Sequence, residues 1–239
     1  MKGTYILLVL VCLSLVANAQ RNNSIKDSVK VQAKWKQFIV PAALTGTALL
    51  MTNSTFETNL QDRLGGNTTT SIDDYTRFAP AAQMYIADIA GVPSRSHWFD
   101  QTKNLGISLL LTDLVTTRLK RSIDKERPSG ANNNAFPSAH SAYAFTTATV
   151  LYEEFKDSSP LLAYSGYGFA IATASLRVVK DAHYVSDVLL GAGIGIAIVK
   201  VVYLLDRYFA WNPFLKNENI VIAPMAGNNV YGLTGVIKF

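Results

Sequence analysis

Apolar stretches of helical length, separated by turn-forming residues, are the feature of this sequence that most constrains its fold. None of them alternates apolar and polar residues with the period of two that marks a half-buried strand. Clusters of glycine, proline and serine such as Arg127–Gly130 and Ser158–Pro160 separate them. The sequence therefore predicts an all-α protein, a bundle of five or six helices. The stretches are Phe38–Met51, Phe78–Val92, Leu105–Leu119, Ala139–Tyr152, Leu161–Val179 and Val185–Leu205.

The composition indicates a folded chain with anionic partners. Of its 239 residues, 49% are hydrophobic and 16% are charged, which excludes a disordered polar chain. The formal net charge of +5 favours phosphate esters or acidic lipids over cationic partners. A single cysteine, Cys12, excludes disulfides and cysteine-built zinc or iron–sulfur sites. Any chemistry must therefore use oxygen and nitrogen groups.

The two ends of the chain differ from the helical region. Lys2, an apolar run from Tyr5 to Val16 and the sequence Ala17-Asn18-Ala19 have the pattern of a secretory signal peptide, with an uncleaved anchor helix as the alternative. Near the C terminus, two runs rich in β-branched residues flank Gly227-Asn228-Asn229, which indicates a hairpin turn. We predict a signal peptide over residues 1–19, a helical domain over 20–217 and a short C-terminal β-hairpin tail over 218–239.

The apolar segments also favour a membrane-embedded bundle. Leu161–Leu176 carries no charge and Val188–Leu205 carries only Lys200, so both approach the roughly 20 apolar residues that a span needs. Asp88 and Asp113 lie inside earlier segments, where a charge facing lipid is costly. A soluble helical core is therefore the alternative.

Three clusters of polar and charged residues fall where predicted helices begin or end. The first runs from Lys120 to Pro128, the second from Phe136 to Ser141 and the third from Leu176 to Asp187. Antiparallel packing of successive helices places all three at one end of the bundle. Two of the three histidines, His140 and His183, would then meet there, whereas we expect the third, His97, to be structural or interfacial.

A pocket of this composition suits phosphoryl transfer, because fixed cations stabilise the charge of the transferred group. Arg127 and Arg177 can each bind oxygens bidentately, and Lys120 adds a point charge. Ser138 and the amide of Ala139 lie at a predicted helix start, which favours an anion.

The histidines, and the spacing between His183 and Asp187, predict which groups react with the phosphate ester. His183 and Asp187 are four residues apart, so we expect Asp187 to accept the Nδ1 proton and leave Nε2 as a nucleophile. His140 would protonate the leaving oxygen and later activate water. Each feature alone usually marks a solvated surface pair, a basic face or an ordinary helix cap. Their coincidence at one end of the bundle is what favours a site.

At these residues the sequence resembles the type 2 phosphatidic acid phosphatase family, within the superfamily of bacterial acid phosphatases and vanadium haloperoxidases. The family pattern is Lys, six residues, Arg-Pro; then Pro-Ser-Gly-His; then Ser-Arg, five residues, His, three residues, Asp. The chain is similar to it over about residues 104–205. It departs at two positions, with Ala139 in place of glycine and Leu176 in place of serine. The alanine adds a methyl group near the phosphate, and the leucine removes one hydroxyl donor.

The resemblance implies that His183 forms a phosphohistidine, that His140 is the acid and base, and that Asp187 orients the nucleophile. It implies no metal and no other cofactor, and it makes residues 20–217 a phosphatase domain. The substrate would be a lipid phosphate: lipid A, a prenyl diphosphate such as undecaprenyl diphosphate, or a phosphatidyl-type phosphate. The implied phosphate cradle comprises Lys120, Arg127, Ser138, Ala139 and Arg177.

The whole chain resembles envelope lipid phosphatases of Bacteroidetes-type bacteria, which makes lipid A the first expectation. We expect a lipid phosphate and a membrane as partners, and no nucleic acid. The expected location is the cell envelope, in the inner membrane with a periplasm-facing site. The alternatives are a soluble periplasmic acid phosphatase of broad specificity, a vanadate-dependent peroxidase and a non-catalytic membrane protein that binds anions.

Overall fold

The computed structural model describes residues 35–66, 68–208, 212, 220–227 and 230–237. Over residues 35–66 and 68–208 the regular structure is helical, which confirms the all-α prediction for this region, and short 3-10 turns lie at Lys36–Phe38 and Asp206–Tyr208. The predicted signal peptide lies outside the described residues. The helices are α1 (Ile39–Met51), α2 (Thr55–Leu64), α3 (Ile72–Thr76), α4 (Ala79–Ile89), α5 (Trp98–Ser122), α6 (Ala139–Phe155), α7 (Pro160–Val179) and α8 (Val185–Leu205).

The eight helices in the described part of the chain exceed the five or six that were predicted. All six apolar stretches became helices, but α2 and α3 were missed because they are polar and carry no apolar periodicity. Helix α5 begins at Trp98, well before the apolar residues at Leu105, because a capped polar turn precedes them. The ring Nδ1 of His97 accepts a hydrogen bond from the amide of Phe99 at 3.3 Å and caps this helix.

Helix α6 lies at the centre of the bundle and contacts α4, α5, α7 and α8. Its inward residues are mostly small, so neighbouring helices can approach on several sides. The apolar core around Val150, Leu151 and Phe155 fills the half of α6 that is remote from its N terminus. The N-terminal half, with Ser138 and Ser141, is buried but polar. The site therefore lies where the core changes from apolar to polar.

Two glycines of α8 allow its backbone to lie directly against the backbone of α6. A Cβ atom at Gly191 would lie 2.4 Å from the carbonyl oxygen of Ser138, and one at Gly195 would lie 2.5 Å from that of Ala142. No side chain fits at these separations. The close approach brings the first turn of α8, with Asp187, beside the N terminus of α6, where the amide of Ser138 donates to the carbonyl of Asp187 at 3.0 Å.

One described helix, α8, is long and apolar enough to cross a membrane, and the core helix of a soluble protein would meet the same criterion. At the C terminus, backbone pairing is assigned between β1 (Ile220–Gly227) and β2 (Val230–Ile237), which run antiparallel. The side chains of this segment are outside the description. Membrane embedding and the hairpin tail both stay predictions.

Candidate active site

The three polar clusters lie at one end of the bundle, where hydrogen bonds join them. The first cluster contacts the loop before the second, because the Nζ of Lys120 donates to the carbonyl of Asn134 at 2.7 Å. The second and third clusters meet at the backbone bond between Ser138 and Asp187. The packing of α5, α6 and α8 therefore assembles the residues that the sequence analysis grouped together.

His183 is buried, with 2% of its surface exposed, and its tautomer is fixed by a backbone carbonyl. Its Nδ1 lies 2.7 Å from the carbonyl oxygen of Ala135. A carbonyl can only accept, so Nδ1 carries the proton and Nε2 is the free nitrogen. Burial lowers the pKa of His183 to about 4, although Asp187 raises it, so the ring is neutral at ordinary pH.

The prediction that Asp187 accepts the Nδ1 proton needs correction. The nearer carboxylate oxygen lies 3.5 Å from Nδ1, so Asp187 acts as a nearby charge while the carbonyl of Ala135 is the acceptor. The spacing argument failed because α8 begins at Val185, which leaves His183 in the preceding loop rather than one helical turn from Asp187. The predicted outcome, a free Nε2, is unchanged.

Asp187 is occupied by other partners that the sequence analysis missed. One carboxylate oxygen accepts from the amide of Tyr184 at 2.8 Å and caps α8, and the other accepts from the Nζ of Lys125 at 2.7 Å. The same buried Nζ donates to Glu57 and to Ser186, each at 2.9 Å. A buried ammonium thus joins α2 to α8 and holds Asp187 in place. In the sequence, Lys125 cannot be distinguished from the other basic residues between Lys120 and Arg127.

The predicted cations form one electropositive group. Burial, together with the charges of Arg127 and Arg177, lowers the pKa of Lys120 to about 8. Burial and Arg177 also lower the pKa of Arg127. The Nε atoms of both arginines are buried and have no hydrogen-bond partner in the described part of the chain. These Nε–H groups are buried donors without an acceptor, and the two guanidinium charges repel each other. A bound anion would supply the acceptor and reduce the repulsion.

The N terminus of α6 faces the same region. Ser138 is buried and caps the helix, with its Oγ 3.5 Å from the amide of Ser141. The Oγ of Ser141 is buried without a partner among the described residues. Ala139 is half-buried at the first turn, and Leu176 is half-buried next to Arg177. A helix N terminus with a spare hydroxyl adds to the anion-binding character of the site.

His140 has a carboxylate partner from α3 that the sequence did not predict. Its Nε2 lies 2.7 Å from Asp74 Oδ1. The neighbouring Asp73 accepts from Arg177 at 2.7 Å and from Lys180 at 2.8 Å. The charge of Arg177 contributes to lowering the pKa of both His140 and His183, so both imidazoles lie in the field of one guanidinium.

The same carboxylates could in principle hold a metal ion. Asp73, Asp74 and His140 offer ligand atoms within 4.8 Å of one another. Both oxygens of Asp73 already accept from cationic side chains, however, and a divalent ion there would face Arg177 and Lys180. The chemistry of this cluster therefore fits an ion-pair network better than a metal centre.

Residues 101–211, which contain all three clusters, match the family model of the PAP2 superfamily. This region is similar to the PAP2 superfamily. The resemblance to the type 2 phosphatidic acid phosphatase family is thereby confirmed. The partners from α2 and α3 lie before the matched residues, which explains why the motifs within the matched region could not reveal them.

A curated relative of the chain is the lipid A 1-phosphatase of Porphyromonas gingivalis, which is 29% identical over 175 residues. The alignment covers 68% of this chain and 39% of the relative, so the chain spans well under half of that protein's length.

Two solved structures are similar to the chain. A crystal structure of Aquifex aeolicus LpxE aligns with a TM-score of 0.49 at 18% identity, covering 64% of this chain and 97% of that one. The first transmembrane PAP2 type phosphatidylglycerolphosphate phosphatase from Bacillus subtilis aligns with a TM-score of 0.44 at 18% identity, covering 84% and 96% respectively.

Proposed function

We propose that this protein is a lipid phosphatase that hydrolyses its substrate through a phosphohistidine on His183, without a metal. The observation that carries the proposal is the state of this side chain. It is a buried neutral imidazole whose proton is held on Nδ1 by Ala135, in the field of Lys120 and Arg177. A nucleophile that is unprotonated at working pH and lies beside fixed cations suits attack on a phosphate ester.

The proposed reaction has two steps. In the first, Nε2 of His183 forms a bond to phosphorus while the bond to the leaving oxygen breaks, and His140 gives that oxygen a proton. In the second, water attacks the phosphohistidine, His140 takes a proton from the water, and inorganic phosphate leaves with His183 restored. Lys120, Arg127 and Arg177 neutralise the equatorial oxygens in both steps, and the N terminus of α6 with Ser138 and Ala139 contributes amide dipoles.

We propose a lipid substrate and a membrane location because the exposed face of α5 is apolar while its buried face is polar. Leu110 is 61% exposed and Leu114 is 48% exposed, whereas Ser108 and Thr112 are completely buried. This pattern suits a helix that faces lipid tails and packs through small polar residues against its neighbours. Other helices expose large apolar side chains too, among them Leu50, Ile86, Ile89, Leu161 and Ile171.

Within the lipid phosphates we propose lipid A, in the inner membrane with a site that faces the periplasm. The support is the similarity to a lipid A 1-phosphatase, together with the predicted signal peptide. A soluble periplasmic acid phosphatase of broad specificity is the second candidate. It is favoured by the burial of α8: 61% of its apolar window lies inside the protein, as in the core helix of a soluble bundle.

The proposed function is tested by phosphate release from a panel of substrates in detergent micelles with EDTA present. The panel contains lipid A, undecaprenyl diphosphate, phosphatidylglycerophosphate, phosphatidate and a small aryl phosphate. We expect release from lipid A, undiminished by the chelator. Equal turnover of the small ester by protein purified without detergent would select the soluble alternative. Vanadate binding without turnover of any substrate would instead indicate a non-catalytic anion-binding protein.

The pH dependence of kcat/KM should place the optimum on the acid side of neutrality. His183 must be unprotonated to attack, so activity should rise as pH increases through about 4. His140 must be protonated, and burial lowers its pKa below the usual 6.5, so activity should fall as pH rises through that lowered value. Lys120 loses its charge above about pH 8, which weakens binding further. Initial rates between pH 3.5 and 9 on one substrate test this, and a maximum above pH 8 would contradict the assignment.

A further inference from the structure

Two adjacent aspartates of α3 have different partners at the site. Asp73 is completely buried, and its two oxygens accept from Arg177 and Lys180. Asp74 has about half of its side chain exposed, and its Oδ1 lies 2.7 Å from Nε2 of His140. Asp73 is therefore a counter-ion for the phosphate cradle, while Asp74 contacts the second imidazole.

The contact with Asp74 determines which nitrogen of His140 is available. The hydrogen bond to His140 lowers the pKa of Asp74, so the side chain is a carboxylate and can only accept. The shared proton must then lie on Nε2 of His140. Nδ1 is the nitrogen that remains to exchange a proton with the substrate. A carboxylate at hydrogen-bond distance also favours the charged imidazolium over the neutral ring.

The two imidazoles of the site thus have partners of different charge. The Nδ1 of His183 donates to a neutral backbone carbonyl, whereas the Nε2 of His140 donates to a carboxylate. His183 is also almost fully buried, while 21% of the His140 side chain is exposed. These different environments favour the neutral ring at His183, which must attack, and the protonated ring at His140, which must donate a proton.

We propose that Asp74 is a positioning residue for the leaving-group acid: it fixes the ring of His140 through Nε2 and stabilises the imidazolium that donates from Nδ1. The inference rests on the proposed phosphatase function and adds to it a residue outside the matched family region. Asp74 touches His140 and not the reacting atoms, so its effect must pass through that ring.

The charges around His140 set the direction of the pH effect. Asp73, Asp74 and Arg77 face it from α3 and the turn that follows, and Arg177 faces it from α7. Burial and the two arginines lower the pKa of His140, and the two carboxylates raise it. Removing the charge of Asp74 should lower this pKa further. The basic limb of kcat/KM should therefore move to lower pH.

The test is Asp74→Asn, which preserves the size of the side chain and removes its charge. We expect kcat on a lipid phosphate to fall by about 100-fold, at the lower end of what general acid catalysis contributes, with little change in KM. The basic limb should move to lower pH. Turnover of an aryl phosphate should fall much less, because its leaving group needs no proton. The matched control is Asp157→Asn at an exposed aspartate outside the three clusters, which should behave like the unmodified protein.

The outcomes separate this inference from the proposed function. Phosphate release by the unmodified protein tests the function, and without it both proposals fail. If the unmodified protein is active and Asp74→Asn keeps its kcat and pH profile, the function stands and the role of Asp74 is wrong. Asp74→Glu keeps the carboxylate and should restore part of the rate. Loss of vanadate inhibition in both Asp74 variants would show a structural role and overturn the inference.

Discussion

His183→Ala should lower phosphate release by roughly 10³-fold or more, because it removes the nitrogen that we propose forms the covalent intermediate. The side chain is buried and its only free ring nitrogen is Nε2, so no neighbouring group of the described site can replace it without rearrangement. Single-turnover release of phosphate from the best substrate of the panel measures the effect. Acid-labile, alkali-stable labelling of the unmodified protein should disappear in the variant.

The control for this substitution is the third histidine. His97 lies at the N terminus of α5 and caps it through Nδ1. Because asparagine is also a good N-cap, His97→Asn preserves the cap and should leave phosphate release close to normal. If His183→Ala released phosphate at a near-normal rate while vanadate still inhibited it, the nucleophile would have to be another residue.

Gly191→Ala should destabilise the bundle by about 1–3 kcal/mol and inactivate the site, because the added methyl group would overlap a backbone atom. A Cβ at this position lies 2.4 Å from the carbonyl oxygen of Ser138, and α6 and α8 must separate to admit it. Separation would displace Ser138 from Asp187, whose backbone groups are bonded across the interface. Thermal unfolding in detergent and phosphate release measure the two effects together.

A matched glycine makes this prediction specific. Gly168 lies in α7, where a Cβ would meet nothing within 4 Å. Replacing a helical glycine by alanine in open space stabilises a helix by about 0.5–1 kcal/mol. Gly168→Ala should therefore be neutral or stabilising and fully active. Equal behaviour of the two variants would mean that the backbone contact between α6 and α8 does not exist.

The sequence predicted the fold best where apolar periodicity determines the structure. The apolar stretches at Ala139–Tyr152, Leu161–Val179 and Val185–Leu205 match α6, α7 and α8 within a few residues. Helices α2 and α3 could not be predicted in this way, because their residues are polar and their packing depends on charges elsewhere. Propensity and periodicity carry no information about a partner that is distant along the chain.

The same limit applies to the site. The residues in the three clusters could be assembled from helix order alone, because antiparallel packing fixes which helix ends meet. The partners of those residues could not be predicted: Lys125 for Asp187, Asp74 for His140, and a backbone carbonyl for His183. Such contacts depend on loop geometry, and a carbonyl has no signature in a sequence.

The buried ammonium of Lys125 ties together parts of the chain that the family match separates. Its partners Glu57 and Asp187 lie 68 and 62 residues away, and the first is outside residues 101–211. If residues 101–211 were expressed alone, Lys125 would keep Asp187 but lose Glu57, and Arg177 would lose Asp73. Breaking buried ion pairs of this kind destabilises a protein by several kcal/mol. We therefore expect the shortest fragment that folds to start before Glu57. A fragment whose ends are chosen from the motifs alone would lack Glu57 and Asp73, the carboxylates that pair with Lys125 and Arg177.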